Sequence, residues 1–184
     1  RLILIRWAMR ARIVNIWKPS ASAKGNTMTK LKWGMIGGGE GSQIGPAHRL
    51  GALADGRFDF TAGALDHRAD VGRAYAQRLG IAADRAYGDW RDMLEGEKNR
   101  EDRIDLVTVA TPNATHFEIT KAFLEAGFNV LCEKPMTMTV EEGEEIVRVA
   151  KKSGKICAVN YCYSAYPMVR QARAADSDEE RVYR

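Results

Sequence analysis

The sequence predicts an α/β protein built on a doubly wound parallel sheet of about six strands. Three observations predict it. Short apolar runs alternate with segments of helical period along most of the 184 residues, as βαβ units require. The first apolar run, Leu31 to Ile36, breaks directly into Gly37-Gly38-Gly39. The run Ile104 to Ala110 is apolar without alternation, as a strand covered on both faces must be.

The elements follow in order. The first strand, Leu31 to Ile36, feeds a helix starting near Gly45-Pro46, where a first-turn proline loses no hydrogen bond. The second strand runs from Phe58 to Leu65. A helix from about Ala69 to Leu79 follows, closed by Gly80. Ala86-Tyr87 reads as a very short third strand. Asp89 then caps a helix that turns Trp90, Met93 and Leu94 inward. The fourth strand is Ile104 to Ala110, ended by Thr111-Pro112-Asn113. Thr115 and Glu118 have the spacing of a capping box, and Ile119, Ala122, Phe123 and Ala126 share one helical face. Gly127 separates that helix from strand five, Phe128 to Cys132. A second capping-box pair, Thr139 and Glu142, opens a helix with acids in its early turns and Lys151, Lys152 and Lys155 around its end, complementing the helix dipole. Ile156 to Tyr163 is the sixth strand.

The net charge of +4 is unevenly placed. Residues 1–30 hold seven basic residues and no acid, whereas the rest of the chain carries 21 basic and 24 acidic residues. The body therefore has no basic excess, and a nucleic-acid partner is not expected. Residues 1–28 read as a basic, unstructured or weakly helical extension. Met28 reads as the natural start, with an organelle transit peptide as the alternative. No apolar run reaches the ~20 residues a membrane span needs. Cys132, Cys157 and Cys162 lack C-x-x-C spacing and sit in apolar runs, so they read as reduced, buried thiols of a cytoplasmic protein. The three histidines, His48, His67 and His116, are scattered, and no metal site is expected.

Several residues carry chemistry. Gly37 and Gly39 follow a strand and precede a helix, where backbone can approach a pyrophosphate at the helix N-terminus. The third fingerprint position is Ser42, with Gly41 and Gly45 nearby, which suggests a longer loop. Asp66 stands at the end of strand two, placed either to hydrogen-bond ribose hydroxyls or merely to cap a helix. An acid there favours NAD over NADP, although His67 and Arg68 beside it leave NADP open. Thr111, Pro112 and Asn113 end strand four at the switch point, and His116 in the next helical turn faces the crevice rim or is a plain helix-start histidine. Glu133-Lys134-Pro135 is the most telling tripeptide. A buried strand has no packing reason to end in a charged pair unless that end opens on a cleft. Lys134 there can hydrogen-bond a substrate hydroxyl and help move its proton. Asn160 and Tyr163, late in strand six, reach the same rim on the substrate side.

Taken together, Gly34-Met35-Ile36-Gly37-Gly38-Gly39, Ala110-Thr111-Pro112-Asn113 with His116, Glu125-Ala126-Gly127, Val130 to Pro135 and Val159-Asn160-Tyr161 resemble the glucose-fructose oxidoreductase / inositol 2-dehydrogenase family (Gfo/Idh/MocA). The resemblance runs from about residue 31 to residue 173. It implies a Rossmann dinucleotide-binding domain over 29–164 and hydride transfer at the carbinol carbon of a sugar, polyol or related compound. It makes Lys134 the active-site lysine, with Gly37, Gly39 and Asp66 holding NAD. Thr111, Pro112, Asn113 and His116 would line the nicotinamide side, with Glu133 near the ribose. It also implies a following substrate domain that supplies a catalytic histidine and the oligomer interface. Residues 165–184 read as the truncated start of the linker to that absent domain. A non-catalytic dinucleotide-binding sensor or scaffold is the alternative.

Overall fold

A computed structural model describes residues 29–54 and 56–182. The basic extension expected over 1–28 lies outside the described residues. The elements are β1 (Leu31–Gly37), α1 (Ile44–Leu53), β2 (Phe58–Ala64), α2 (Ala69–Arg78), α3 (Trp90–Lys98), β3 (Leu106–Ala110), α4 (His116–Glu125), β4 (Asn129–Glu133), α5 (Val140–Ser153), β5 (Cys157–Asn160) and α6 (Pro167–Val182). The sheet order is β2-β1-β3-β4-β5, and every pairing is parallel. β1 pairs with both β2 and β3, so the direction of winding reverses between β1 and β3, the switch point of such a sheet.

Two cores lie on opposite faces. On one, Val107, Val109, Val130 and Cys132 pack with Met93 of α3, Phe123 of α4 and Ile146 of α5. On the other, Trp33, Met35 and Leu65 pack with Ala76 and Ile81. Trp33 is fully buried, and its indole N–H donates to the Thr108 hydroxyl at 2.9 Å, as a buried indole requires.

The sheet has five strands among the described residues, one fewer than the sequence suggests. Ala86 forms only a single parallel bridge, with Gly63 of β2. The last strand is also shorter than Ile156 to Tyr163. It ends at Asn160, and Cys162–Ala165 turns into a 3-10 helix. The stretch read as linker is helical from Pro167.

Capping separates two identical sequence patterns. Thr139 is extended (φ −129°, ψ 165°) and forms a complete box with Glu142. Thr115 lies at φ −102°, ψ −7° and caps nothing. Its hydroxyl instead donates to the Pro112 carbonyl, and Glu118 pairs with Arg91 at 2.6 Å. An N-cap needs extended backbone, and the 3-10 turn at Asn113–Thr115 removes it. Asp89 caps α3 as expected, accepting from the Arg91 N–H. Among the described residues no helix is long and apolar enough to cross a membrane.

Candidate functional site

Strand register builds the site. Gly37 is level with Ala110, Val109 with Cys132, and Glu133 with Asn160. The segments following Gly37, Ala110 and Glu133 therefore leave the sheet from one edge, its carboxyl end. Ile36 is level with Ala64, which brings Asp66 to that edge as well. Gly37 and Lys134, nearly a hundred positions apart in sequence, share one rim.

The glycine loop is shaped by close approach. Gly37 has φ 75°, and a Cβ there would stand 2.4 Å from the Ala110 carbonyl oxygen. A Cβ on Gly45, in the first turn of α1, would meet the Gly38 oxygen at 1.9 Å. Gly45 thus fills the close-packing position that the sequence assigned to Ser42. Ser42 has another use: its Oγ accepts the Gly45 N–H at 3.1 Å. Loop backbone and the start of α1 meet with no side chain between them, a cradle that fits a dinucleotide pyrophosphate.

Arg49, also on α1, supports this loop from below. It is buried, donating to the Gly38 carbonyl at 2.9 Å and to the Tyr75 hydroxyl at 3.0 Å. Arg78 stacks on the same Tyr75 ring and pairs with Glu40 of the loop at 2.6 Å.

Asp66 is mostly buried and engaged by its neighbours. Its Oδ1 accepts the Arg68 N–H at 2.9 Å and the Arg68 Nε at 3.2 Å. These bonds hold the Asp66 carboxyl below its usual range. Oδ2 has only a 3.4 Å contact from Arg68 and retains accepting capacity.

At the next strand end, the Thr111 hydroxyl donates to the Thr115 hydroxyl oxygen at 2.8 Å, and Pro112 and Asn113 are exposed on the rim. His116 is 1% exposed. Its Nε2 meets the Thr111 carbonyl at 2.8 Å and its Nδ1 the Pro135 carbonyl at 2.7 Å. The ring is thus a staple between the loops after β3 and β4, and its polar atoms are occupied by main chain.

Glu133 is the buried charge of the rim. Its Oε1 accepts from His48 Nε2 at 2.7 Å and from Asn160 Nδ2 at 2.6 Å, while Oε2 accepts the Lys134 N–H at 3.2 Å. Burial pushes its pKa up, but the bonds from Asn160, His48 and the Lys134 backbone outweigh burial and hold it below the usual range. Lys134 itself is exposed, and its side chain has no ion pair or hydrogen bond among the described residues. The Lys134–Pro135 peptide is cis. Tyr163 is further out, 62% exposed, edge-on to Tyr166.

Sequence reasoning missed three residues here: His48, Arg49 and Tyr75. The signal for the first two was available. His48 and Arg49 lie three and four positions beyond Gly45, one turn along the face of α1 that Gly45 presses onto the loop.

Residues 31–161 match the family model described as "Oxidoreductase family, NAD-binding Rossmann fold". The chain is 48% identical over 145 residues to an uncharacterised oxidoreductase, YfiI, of Bacillus subtilis (strain 168), covering 78% of this chain and 37% of that protein. It is 34% identical over 152 residues to levoglucosan dehydrogenase of Pseudarthrobacter phenanthrenivorans, covering 79% of this chain and 37% of the relative. An inositol dehydrogenase homologue from Azotobacter vinelandii, solved with NADH and myo-inositol, superposes with a TM-score of 0.78 at 44% identity, covering 83% of this chain and 40% of that one. The chain thus spans well under half the length of these relatives.

Proposed function

The chain belongs to the Gfo/Idh/MocA oxidoreductase family, whose NAD-binding Rossmann fold it carries, and on that premise we propose that it is the dinucleotide-holding part of a dehydrogenase acting on a sugar, a polyol or a related carbinol. One observation carries this reading: the register that sets Lys134 and Glu133 on the same sheet edge as the Gly37 loop. The loop after Gly37 would hold the pyrophosphate of a dinucleotide lying along that edge, and Lys134 would stand on the side where its hydride chemistry is supplied. Levoglucosan dehydrogenase and the inositol dehydrogenase homologue support the substrate class.

The residues divide the work. Gly37, Gly39 and the start of α1 receive the pyrophosphate, with Ser42 setting the first turn. Asp66 accepts the adenosine ribose hydroxyls through Oδ2. Its charge repels a 2′-phosphate, which supports NAD, while Arg68 and His67 beside it leave NADP open. Thr111, Pro112 and Asn113 form the wall on the nicotinamide side, and His116 holds that wall against the loop after β4. When bound, the cofactor takes or supplies the hydride. Lys134 Nζ hydrogen-bonds the substrate hydroxyl and moves its proton. Asn160 and Tyr163 face the substrate side. The free cysteines support a reducing compartment such as the cytoplasm.

NADH titrated into the purified chain tests the reading. Saturable binding with a Kd below about 1 mM is expected, and absence of binding for both NADH and NADPH overturns the proposal. Lys134→Ala should leave the NADH Kd within about twofold, because the lysine acts on substrate. A large loss of NADH affinity would reassign it to the cofactor.

A further inference from the structure

We infer that His48 is a positioning residue: it fixes the Glu133 carboxylate so that Oε2 is the oxygen offered to the nicotinamide-side ribose. This rests on the dinucleotide reading above and adds the device that aims the carboxylate.

The argument starts from counting bonds. A carboxylate oxygen accepts about two hydrogen bonds. Glu133 Oε1 has two, from His48 at 2.7 Å and Asn160 at 2.6 Å. Oε2 has one, the 3.2 Å bond from the Lys134 N–H. The remaining capacity is on Oε2. Because a carboxylate can only accept, His48 Nε2 carries the proton in this contact. The His48 and Glu133 side chains are 8% and 9% exposed, so water competes little for the bond, and a charge-assisted bond there is short and directional.

His48 also sits where it can couple two ends of one ligand. It lies three residues after Gly45 on α1, the helix whose start meets the glycine loop. The same rigid element therefore contacts the pyrophosphate cradle and, through the imidazole, the carboxylate at the end of β4. Asn160 reaches the same oxygen from β5. A carboxylate held from two sides keeps its aim without substrate present, as a preorganised site requires.

Three ligands separate positioning from mere support. NADH and ADP-ribose contain the second ribose, and ADP does not. His48→Leu should weaken NADH and ADP-ribose binding each roughly tenfold, with ADP binding within about twofold of wild type. His48→Gln, which returns an N–H near the Nε2 position, should recover most of the loss. Asn160→Leu, reaching the same oxygen, should reproduce the pattern and serves if His48→Leu does not fold. Equal losses for ADP and NADH, failure of glutamine to rescue, or wild-type NADH affinity in both leucine variants would overturn the inference. Failure of the wild-type chain to bind either NADH or NADPH would instead overturn the dinucleotide reading.

Discussion

Two buried glutamates at opposite ends of the sheet show what separates a structural charge from a functional one. Glu97, at the end of α3 before β3 begins, is fully buried. Arg85 reaches both its oxygens, at 3.0 and 2.6 Å, Tyr87 donates at 3.0 Å and the Ile104 N–H at 3.0 Å. Four bonds fill the four lone-pair positions of the carboxylate. Glu133, at the carboxyl edge, is nearly as buried, yet accepts three bonds, with a histidine where Glu97 has a guanidinium. A saturated carboxylate paired with a permanent cation has nothing left to offer a ligand. A carboxylate held firmly and left one bond short has.

The sharpest way to break this contrast is to remove each charge. Glu97→Ala leaves Arg85 buried opposite no full partner, although Asp102 still touches it at 3.0 Å. The expected cost is about 3–5 kcal/mol, seen in denaturant unfolding and as a Tm lower by roughly 10 °C. NADH affinity, measured where the variant is folded, should stay within about twofold. Glu133→Gln should do the reverse, costing no more than about 1 kcal/mol while weakening NADH on the order of tenfold. If Glu133→Gln proves the more destabilising, bond saturation does not distinguish the two sites.

The two glutamates also show what the sequence could reveal. Glu133 was legible because a charge closing the apolar run Val130 to Cys132 has no packing rationale. The same reasoning found Gly37, whose turn follows a strand with no residues to spare. Glu97 was not legible, since a glutamate inside a helix with exposed acids and bases around it, such as Glu95 and Lys98, reads as solvated. Only the fold brings Arg85 onto it. The partner of Glu133 was hidden for the same reason: His48 lies 85 residues away. The matched patterns at Thr115 and Thr139 fail and succeed through backbone angles that the side-chain pattern does not encode. The missing strand at Ala86 marks the other limit, since two residues carry no periodicity to read.

Acid and alkali should unsettle the two sites at opposite ends of the pH scale, with a smaller effect than the substitutions. The folded Glu133 carboxyl is depressed below its ordinary 4.5, so the native state binds fewer protons there. Its contribution is complete above about pH 4.5 and fades as pH falls through the folded value. Tyr87, whose phenol donates to Glu97, is pushed up to about 12 by burial first and by the Glu97 charge second. Its contribution is complete below the ordinary value of 10.0 and fades as pH rises toward 12. In Tm measured against pH, Glu133→Gln should flatten the acid limb alone and Tyr87→Phe the alkaline limb alone. Each variant altering the other's limb would mean the two sites are coupled through the sheet.

Arg49 extends the comparison to a buried charge that bonds to no carboxylate among the described residues. Its guanidinium donates to the Gly38 carbonyl and the Tyr75 hydroxyl, approaches Met35 Sδ at 4.0 Å and lies 5.6 Å from the Tyr75 ring centroid. Tyr75→Phe keeps the ring and removes the acceptor, so it isolates the hydrogen bond from the cation–π contact. The expected loss of stability is about 1 kcal/mol. Because Arg49 holds the Gly38 carbonyl, loosening it should reach ADP and NADH alike, by less than about fivefold. That pattern is the opposite of His48→Leu, which spares ADP. One helix would then serve the two halves of a dinucleotide through adjacent residues, Arg49 at the pyrophosphate and His48 at the distant ribose. If Tyr75→Phe instead spared ADP, the phenol hydroxyl would have no hold on the loop, and the Gly38 carbonyl and the Tyr75 ring would suffice to anchor Arg49.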